Sequence, residues 1–225
     1  MSKCNTGDGS ILRPELTPMP IGIAHLPIVR GYPVPWFVDW VDGGPEFRAM
    51  DYDKFMLAVT NKLCWVCGEP LGRFMVFVIG PMCGINRISA EPPCHADCAI
   101  WSARNCPFLS RPDFERRETE MRGRLKPLPT AGVMIARNPG VTMLWTTRDY
   151  KIIVINQSNA EPGYLFNIGE PTRVQWFREG RPATRDEVED SIRTGLPLVM
   201  EPSCSQEEKD HIEAARVAFL KYLPA

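Results

Sequence analysis

Apolar residues in the first half of the chain follow strand-like spacing and then helical spacing. Between positions 34 and 41 one face is apolar, which predicts a strand with the face Trp36, Val38 and Trp40. Further along, Asp51 or Asp53 can cap a helix. The apolar positions of that helix recur at Phe55, Met56, Val59 and Leu63. We therefore expect a strand and then a helix that ends close to Cys64.

Two apolar runs follow, at 73–79 and at 85–89. The first is rich in β-branched and aromatic residues, and a Gly-Pro dipeptide at 80–81 separates it from the second. This pattern predicts a hairpin. Two prolines at 92–93 then precede a helical pattern from about His95 to Arg104, which ends near a Cys-Pro dipeptide at 106–107.

The second half of the chain changes to short strand patterns separated by turn residues. Strands are predicted at 132–137, 141–147, 150–156, 163–168 and 172–178. Because short turns join successive strands, we expect an antiparallel meander. Capping-box patterns at Thr184 with Glu187, and at Ser205 with Glu208, predict two helices after the sheet.

The composition narrows the classes of function. The chain of 225 residues is 44% hydrophobic and has a formal net charge of −1, so its bulk charge does not favour nucleic acid or an anionic membrane. The sequence opens without a charged-then-apolar signal layout, and its apolar runs are too short to span a bilayer. We expect a soluble protein of the cytoplasm that binds no membrane and keeps its cysteines reduced.

Cysteine and histidine spacing in the middle of the chain is typical of a zinc site. Cys64 and Cys67 form a C-x2-C pair, and Gly68 can take the positive φ that such a turn requires. His95 and Cys98 repeat the spacing and lie on one face of the predicted helix. These four residues predict a structural Zn²⁺ site with a closed set of ligands.

Cys94 is the alternative fourth ligand, because Cys94 and Cys98 would complete a site of four cysteines. His95 is favoured, since Cys94 follows two prolines and should lie before the helix. The order of a C-x2-C turn, a hairpin and a helix with the last two ligands in its first turn is that of a treble-clef zinc finger.

Treble-clef frames also carry ββα-metal nucleases, which need a histidine on the hairpin as general base and further ligands for a catalytic ion. The predicted hairpin has no histidine, and His25 and His211 are far away in sequence. A closed, thiolate-rich set of ligands also leaves no open position for catalysis. We therefore predict a protein that is not an enzyme and has no catalytic residues.

A nucleic-acid interface is the second hypothesis. Residues 110–130 carry six Lys or Arg against four Asp or Glu, which is most typical of a solvated connecting helix. The sharper alternative is a phosphate-binding patch beside the zinc site. Its candidate residues are Arg87, Arg104, Arg116, Arg117 and Arg122.

These patterns predict an α+β protein with four segments. Residues 1–35, with six prolines and several large apolar side chains, are expected to form an extended arm laid over a core. Residues 36–109 form the treble-clef-like zinc unit and residues 110–130 a charged connector. Residues 131–225 form the antiparallel sheet with two helices.

One family resemblance covers most of residues 30 to 196. The residues that carry it are Cys64-Trp-Val-Cys67-Gly, Gly80-Pro81-Met82-Cys83, Asn86-Arg87, Ser89-Ala90-Glu91-Pro92-Pro93, His95-x-x-Cys98, Cys106-Pro107-Phe108 and Glu179-Gly180-Arg181-Pro182-Ala183-Thr184. With these motifs the chain resembles uncharacterised zinc-binding proteins encoded by bacteriophages and prophages. The resemblance implies His95 rather than Cys94 as the ligand, and it implies no activity. Phage accessory proteins often disable a host protein, so it implies a binding protein, an inhibitor or effector, that acts on a bacterial host protein, for example against host defence.

Overall fold

Helices and antiparallel strands are mixed along the chain, which confirms the predicted α+β class. The computed structural model describes residues 10–110, 138–156, 162–200 and 205–225. The strands are β1 (Ile28–Val29), β2 (Tyr32–Pro33), β3 (Val38–Val41), β4 (Gly44–Met50), β5 (Met75–Ile79), β6 (Ile88–Ser89), β7 (Thr142–Thr147), β8 (Tyr150–Ile155), β9 (Gly163–Ile168), β10 (Pro171–Arg178) and β11 (Arg181–Pro182). The α-helices are α1 (Tyr52–Asn61), α2 (Pro81–Asn86), α3 (Ala96–Asn105), α4 (Pro107–Ser110), α5 (Arg185–Val199) and α6 (Gln206–Phe219).

Two antiparallel sheets form the centre of the molecule. One has the strand order β11-β10-β7-β5 and the other the order β6-β9-β8. The pairs β1–β2 and β3–β4 form separate hairpins. The predicted meander is wrong, because β7 and β8 follow each other in the chain but lie in different sheets. The strand predicted at 132–137 lies outside the described residues.

The segment between the C-x2-C pair and His95 does not form the predicted hairpin. β5 pairs with β7, β6 pairs with β9, and the helix α2 lies between them. Pro81 is at the start of α2, where a missing N–H costs no helical hydrogen bond, and Arg87 ends the helix with a left-handed φ of 60°. A Cβ on Gly84 would overlap the side chains of Met143 and Phe219, so only glycine allows this close packing. The treble-clef arrangement, which needs the hairpin, is not confirmed.

The largest cluster of buried side chains contains residues from both halves of the chain. Its large members include Phe55, Trp65, Phe77, Trp145, Phe166, Trp176, Val188 and Phe219. Phe77 on β5 and Phe166 on β9 meet with their ring centroids 6.0 Å apart. The segments 36–109 and 131–225, which we predicted as separate units, therefore share one sheet and one core.

The described part of the N-terminal arm packs on the same body. Ile23 is fully buried and belongs to a second cluster, which also contains Leu26, Cys64, Cys67 and Cys98. A turn at Arg30 and Gly31, with φ of 54° and 79°, joins β1 to β2. The arm thus includes a short hairpin as well as extended chain.

Both predicted capping boxes are confirmed at the starts of the C-terminal helices. The side chains of Thr184 and Ser205 accept from the backbone N–H groups of Glu187 and Glu208, and the two glutamates bond back. The first helix, α5, extends past the predicted end near residue 195 and contains Pro197 in its last turn.

Candidate metal centre

Cys64 and Cys67 lie on a tight turn that follows α1. The N–H of Gly68 donates to the carbonyl of Cys64 at 2.8 Å, and the N–H of Cys64 donates to Glu69 at 2.7 Å. Gly68 has a φ of 79°, and a Cβ there would be 2.7 Å from the Trp36 ring. Glycine is thus required both by the backbone conformation and by the ring above it, as the sequence predicted for the backbone.

His95 and Cys98 come from the start of α3. His95 is the N-cap of the helix and Cys98 lies in its first turn. Upstream, Cys94 exchanges two backbone hydrogen bonds with Val76 of β5, at 2.8 and 2.9 Å. This bridge fixes the start of α3 beside the turn that carries the first cysteine pair.

The four predicted ligand side chains converge. The ligand atoms of Cys64, Cys67, His95 and Cys98 all lie within 4.8 Å of one another. Sγ of Cys67 and Nδ1 of His95 are 3.3 Å apart, and neighbouring ligand atoms around a tetrahedral zinc are roughly 3.3–3.8 Å apart. The three cysteines are buried, so the cluster can hold a metal ion at a site screened from solvent.

The ring of His95 is oriented for ligation through Nδ1. Its other nitrogen, Nε2, is 3.1 Å from the carbonyl of Pro70. Because a carbonyl oxygen only accepts, this hydrogen bond places the proton on Nε2 and leaves the lone pair of Nδ1 facing the cysteines. Such a hydrogen bond from the second ring nitrogen is the usual support for a histidine ligand.

Hydrogen bonds among the three thiols shift their pKa values in different directions. Hydrogen bonds from the thiols of Cys67 and Cys98, with a smaller contribution from the N–H of His95, lower the pKa of Cys64. The hydrogen bond to Cys64 raises the pKa of Cys67, and bonds to both other cysteines raise that of Cys98. Without a cation, burial and these mutual contacts disfavour three thiolates at once. A bound divalent cation would stabilise all three thiolates together.

Cys94 is not part of the cluster. Its Sγ donates to the carbonyl of Val76 at 3.3 Å, and burial raises its pKa well above the ordinary value. The thiol therefore behaves as a small buried side chain within the strand bridge. The converging group contains His95 in the position for which Cys94 was the alternative.

A ligand set of three sulfurs and one imidazole nitrogen suits zinc, which binds thiolate and imidazole in closed tetrahedral sites. Four protein ligands fill the coordination sphere of a tetrahedral ion. Within the part of the chain that the structure describes, no other group of three or more His, Cys, Asp or Glu side chains converges in this way. The cluster could therefore hold a metal ion, and its four donors are consistent with a structural zinc.

His25 is a neighbour of the centre that sequence reasoning did not find. Its Nε2 donates to the carbonyl of Cys67 at 3.1 Å, although the two residues are far apart in the chain. The N-terminal arm thus contacts the metal turn directly. No local spacing signals a contact of this kind, because it depends on where the arm crosses the core.

The predicted phosphate-binding arginines do not form one free patch in the described residues. The guanidinium of Arg87 donates to the carbonyl of Ile168 at 3.0 and 3.1 Å and to Glu170 at 2.9 Å. It also stacks over the Trp145 ring at 4.8 Å. Arg104 lies 6.0 Å from the centroid of the Phe177 ring. The other candidates, Arg116, Arg117 and Arg122, lie outside the described residues.

No helix in the described ranges is long and apolar enough to cross a bilayer. The phage-protein resemblance rests on the motif residues alone and stays a prediction. Comparison with known proteins adds no identity, since no protein-family model, curated protein or solved structure matches this chain.

Proposed function

We propose that this chain is a non-enzymatic binding protein whose fold is stabilised by one structural zinc ion. The observation that carries the zinc is the closed set of Cys64, Cys67, His95 and Cys98, with its ligand atoms within 4.8 Å. When bound, zinc would supply a fixed cross-link between the turn after α1 and the first turn of α3. The chain's own residues supply the donors and leave no position for a substrate.

The site lies in a cluster of buried side chains to which several elements contribute. The cysteines pack in one cluster with Ile23 from the arm, Val76 from β5 and Leu144 from β7. Loss of the ion would leave three thiols and an imidazole facing one another in this cluster. A structural metal there stabilises the contact between the arm, the first sheet and α3.

The proposed binding role rests on the resemblance to phage proteins and on the closed, thiolate-rich set of ligands, which leaves no open position on the ion. A bacterial host protein is the proposed partner, and the protein would then work in the host cytoplasm. Nucleic acid is the weaker alternative, because Arg87 is held by Ile168 and Glu170 within the protein. Binding to DNA or RNA that falls steeply with salt would contradict the preferred partner.

The zinc proposal is tested by substituting two buried cysteines, of which Cys67 belongs to the ligand cluster and Cys94 does not. Purified wild type should contain one zinc per chain by elemental analysis. Cys67→Ser should lose the ion and, with free zinc about a thousandfold above its Kd, should lose about 4 kcal/mol of stability. Cys94→Ser is the matched control, since a serine hydroxyl can still donate to Val76, and it should keep the ion.

Metal-free wild type of unchanged stability would refute the zinc centre. Zinc that is retained in Cys67→Ser but lost in Cys94→Ser would also refute it, because Cys94 would then be the ligand and Cys67 would not. Zinc affinity should also fall as the pH is lowered, since protons compete with the ion for the three thiolates.

A further inference from the structure

Strand β8 has an edge that no described residue covers. In the sheet β6-β9-β8 it is the outer strand and pairs only with β9. Its central residues Ile152, Ile153 and Val154 are 40%, 38% and 52% exposed. Soluble proteins usually protect such edges with charges, prolines, bulges or covering elements, because an open apolar edge is a template for another strand.

The hydrogen-bond pattern shows which backbone groups face outward. The N–H of Gly169 donates to the carbonyl of Asp149, and the N–H of Ile168 donates away from β8, to Arg87. Bonded and non-bonded pairs alternate in an antiparallel ladder. In the recorded register, Tyr150, Ile152 and Val154 are opposite Ile168, Phe166 and Tyr164. Their N–H and C=O groups therefore point to the open edge.

The exposed side chains lie on both faces of the strand. The Tyr150 ring contacts Phe77 and Phe166, each at 5.6 Å between centroids, so the face of Tyr150, Ile152 and Val154 is the core side. Ile153 is on the opposite side. A helix packed on one face of β8 would leave the side chains of the other face exposed. A strand added at the edge would contact side chains of both faces.

The surroundings of the edge are basic. A cavity of about 200 Å³ at the start of β8 is lined by Lys62, Met75, Arg148, Asp149, Tyr150 and Ile152. The exposed Phe74 lies next to it, with the guanidinium groups of Arg148 and Arg73 5.2 and 5.9 Å from its ring centroid. Lys151 on the strand is also exposed. Two basic side chains, those of Lys62 and Arg148, line the cavity with one acidic side chain, that of Asp149.

We propose that β8 binds an extended segment of a partner protein as an added strand, and that this segment alternates apolar residues with acidic ones. The outward N–H and C=O groups of Tyr150, Ile152 and Val154 would form backbone hydrogen bonds with the added strand. The basic side chains would favour a segment with acidic residues. The proposal rests on the binding role above and names its surface. A second copy of this chain fits less well, because it would bring the same basic residues into one interface.

The probe is a fluorescein-labelled nonapeptide of alternating glutamate and valine, with binding followed by fluorescence anisotropy. A version with lysine in place of glutamate should bind at least about tenfold more weakly, because it repels the basic rim. A version with N-methylated valines keeps the charge but cannot complete the ladder, and should also lose binding.

Variants of the protein test the same two contributions. Val154→Pro removes an outward N–H and keeps the bonds to β9. Lys151→Glu and Arg148→Glu reverse exposed charges and should not disturb folding. Each of these three variants should weaken binding of the acidic peptide at least about tenfold. Val154→Thr keeps the N–H and should therefore weaken binding less than Val154→Pro.

Zinc content and thermal unfolding are measured on the same samples. Equal binding of the acidic and lysine peptides, or no binding of either to folded, zinc-loaded wild type, overturns the proposal and leaves the zinc centre intact. Retention of a host partner by variants that no longer bind the acidic peptide leaves the binding role but overturns this surface. A dimer of wild type that Val154→Pro abolishes, without peptide binding, would assign the edge to a second copy.

Discussion

β7 and β8 are consecutive strands of the same length, and both are rich in apolar residues, yet their surroundings are opposite. β7 lies between β10 and β5, and five of its six residues are buried. β8 pairs with one strand, and none of its residues is buried. Apolar content alone therefore does not determine burial. The position of a strand within its sheet determines which of its faces and edges are covered.

A buried threonine, Thr147, makes hydrogen bonds at the corner between the two strands. The hydroxyl of Thr147 lies 3.0 Å from the carbonyl oxygens of both Asp149 and Glu170, and its single proton is shared between these two acceptors. A Cβ on Gly169 would overlap the backbone of Asp149, so glycine allows the close approach at this corner. The chain leaves the first sheet here and enters the second.

The largest expected difference is between side-chain truncations on the two strands. Trp145→Ala on β7 should cost about 3–5 kcal/mol of unfolding free energy, because its ring is fully buried in the main core. Ile153→Ala on β8 should cost less than about 1 kcal/mol, since surface substitutions have small effects. Urea unfolding measures both. Equal losses would mean that β8 is covered in solution and would remove the contrast.

A second prediction concerns the arginine that joins the two sheets. Arg87 follows α2, stacks on Trp145 of β7 and donates to Ile168 of β9. Hydrogen bonds from Arg87, after a larger contribution from Tyr222, hold the pKa of Glu170 below its ordinary value. Arg87→Ala should therefore cost about 2 kcal/mol, the usual value for hydrogen bonds of a charged group.

Arg148→Ala is the matched control for Arg87, because Arg148 is exposed and contacts only the Phe74 ring among the interactions of the described residues. Its unfolding free energy should change by less than about 0.5 kcal/mol. A similar loss in both variants would show that Arg87 contributes only as a surface cation.

The smallest expected effect is at an edge of the other sheet, on β11, where charged side chains pair. Glu187 on α5 pairs with Arg181 of β11 at 2.6 Å and with Arg178 of β10 at 3.4 Å. The hydrogen bond from Arg181, with the N-cap bond at Thr184, lowers the pKa of Glu187 to about 2. Glu187→Gln keeps a side chain that suits the capping box and removes the charge. It should cost less than about 1 kcal/mol at neutral pH.

The pH dependence of Glu187→Gln follows from the direction of that shift. A carboxylate with a lowered pKa stabilises the folded state fully above its unfolded pKa of 4.5, and this stability is lost as the pH falls toward 2. The difference between variant and wild type should therefore disappear over that range. Glu189→Gln, on the same helix, should show a smaller loss, and a constant difference down to pH 2 would disprove the pairing.

Local signals in the sequence identified the parts of the structure that depend on neighbouring residues. The C-x2-C turn with Gly68, the pair of His95 and Cys98, the cap at Asp51 and both capping boxes are all visible within a few positions. The α2 helix was missed because the Gly-Pro dipeptide at 80–81 signals a break in a strand as well as a helix start.

Strand partners could not be predicted because they join distant parts of the chain. β5 is next to the metal turn in sequence, but its sheet partner is β7 in the second half. The same is true of Arg87 with Trp145, and of His25 with Cys67. Spacing along the chain contains no information on such pairs, so the hairpin and the meander were the shortest connections rather than the true ones.

The bridge between Val76 and Cys94 has a consequence for how the protein is made. During synthesis β5 leaves the ribosome well before β7, so its apolar residues stay unpaired until the partner strand has been made. The ligand pairs Cys64 with Cys67 and His95 with Cys98 flank β5 in sequence and are also synthesised before β7, so metal binding could hold the strand against Cys94 at that stage. If the proposed metal binds at this stage, we expect it to hold β5 in place before β7 is synthesised, and to stabilise the finished sheet afterwards.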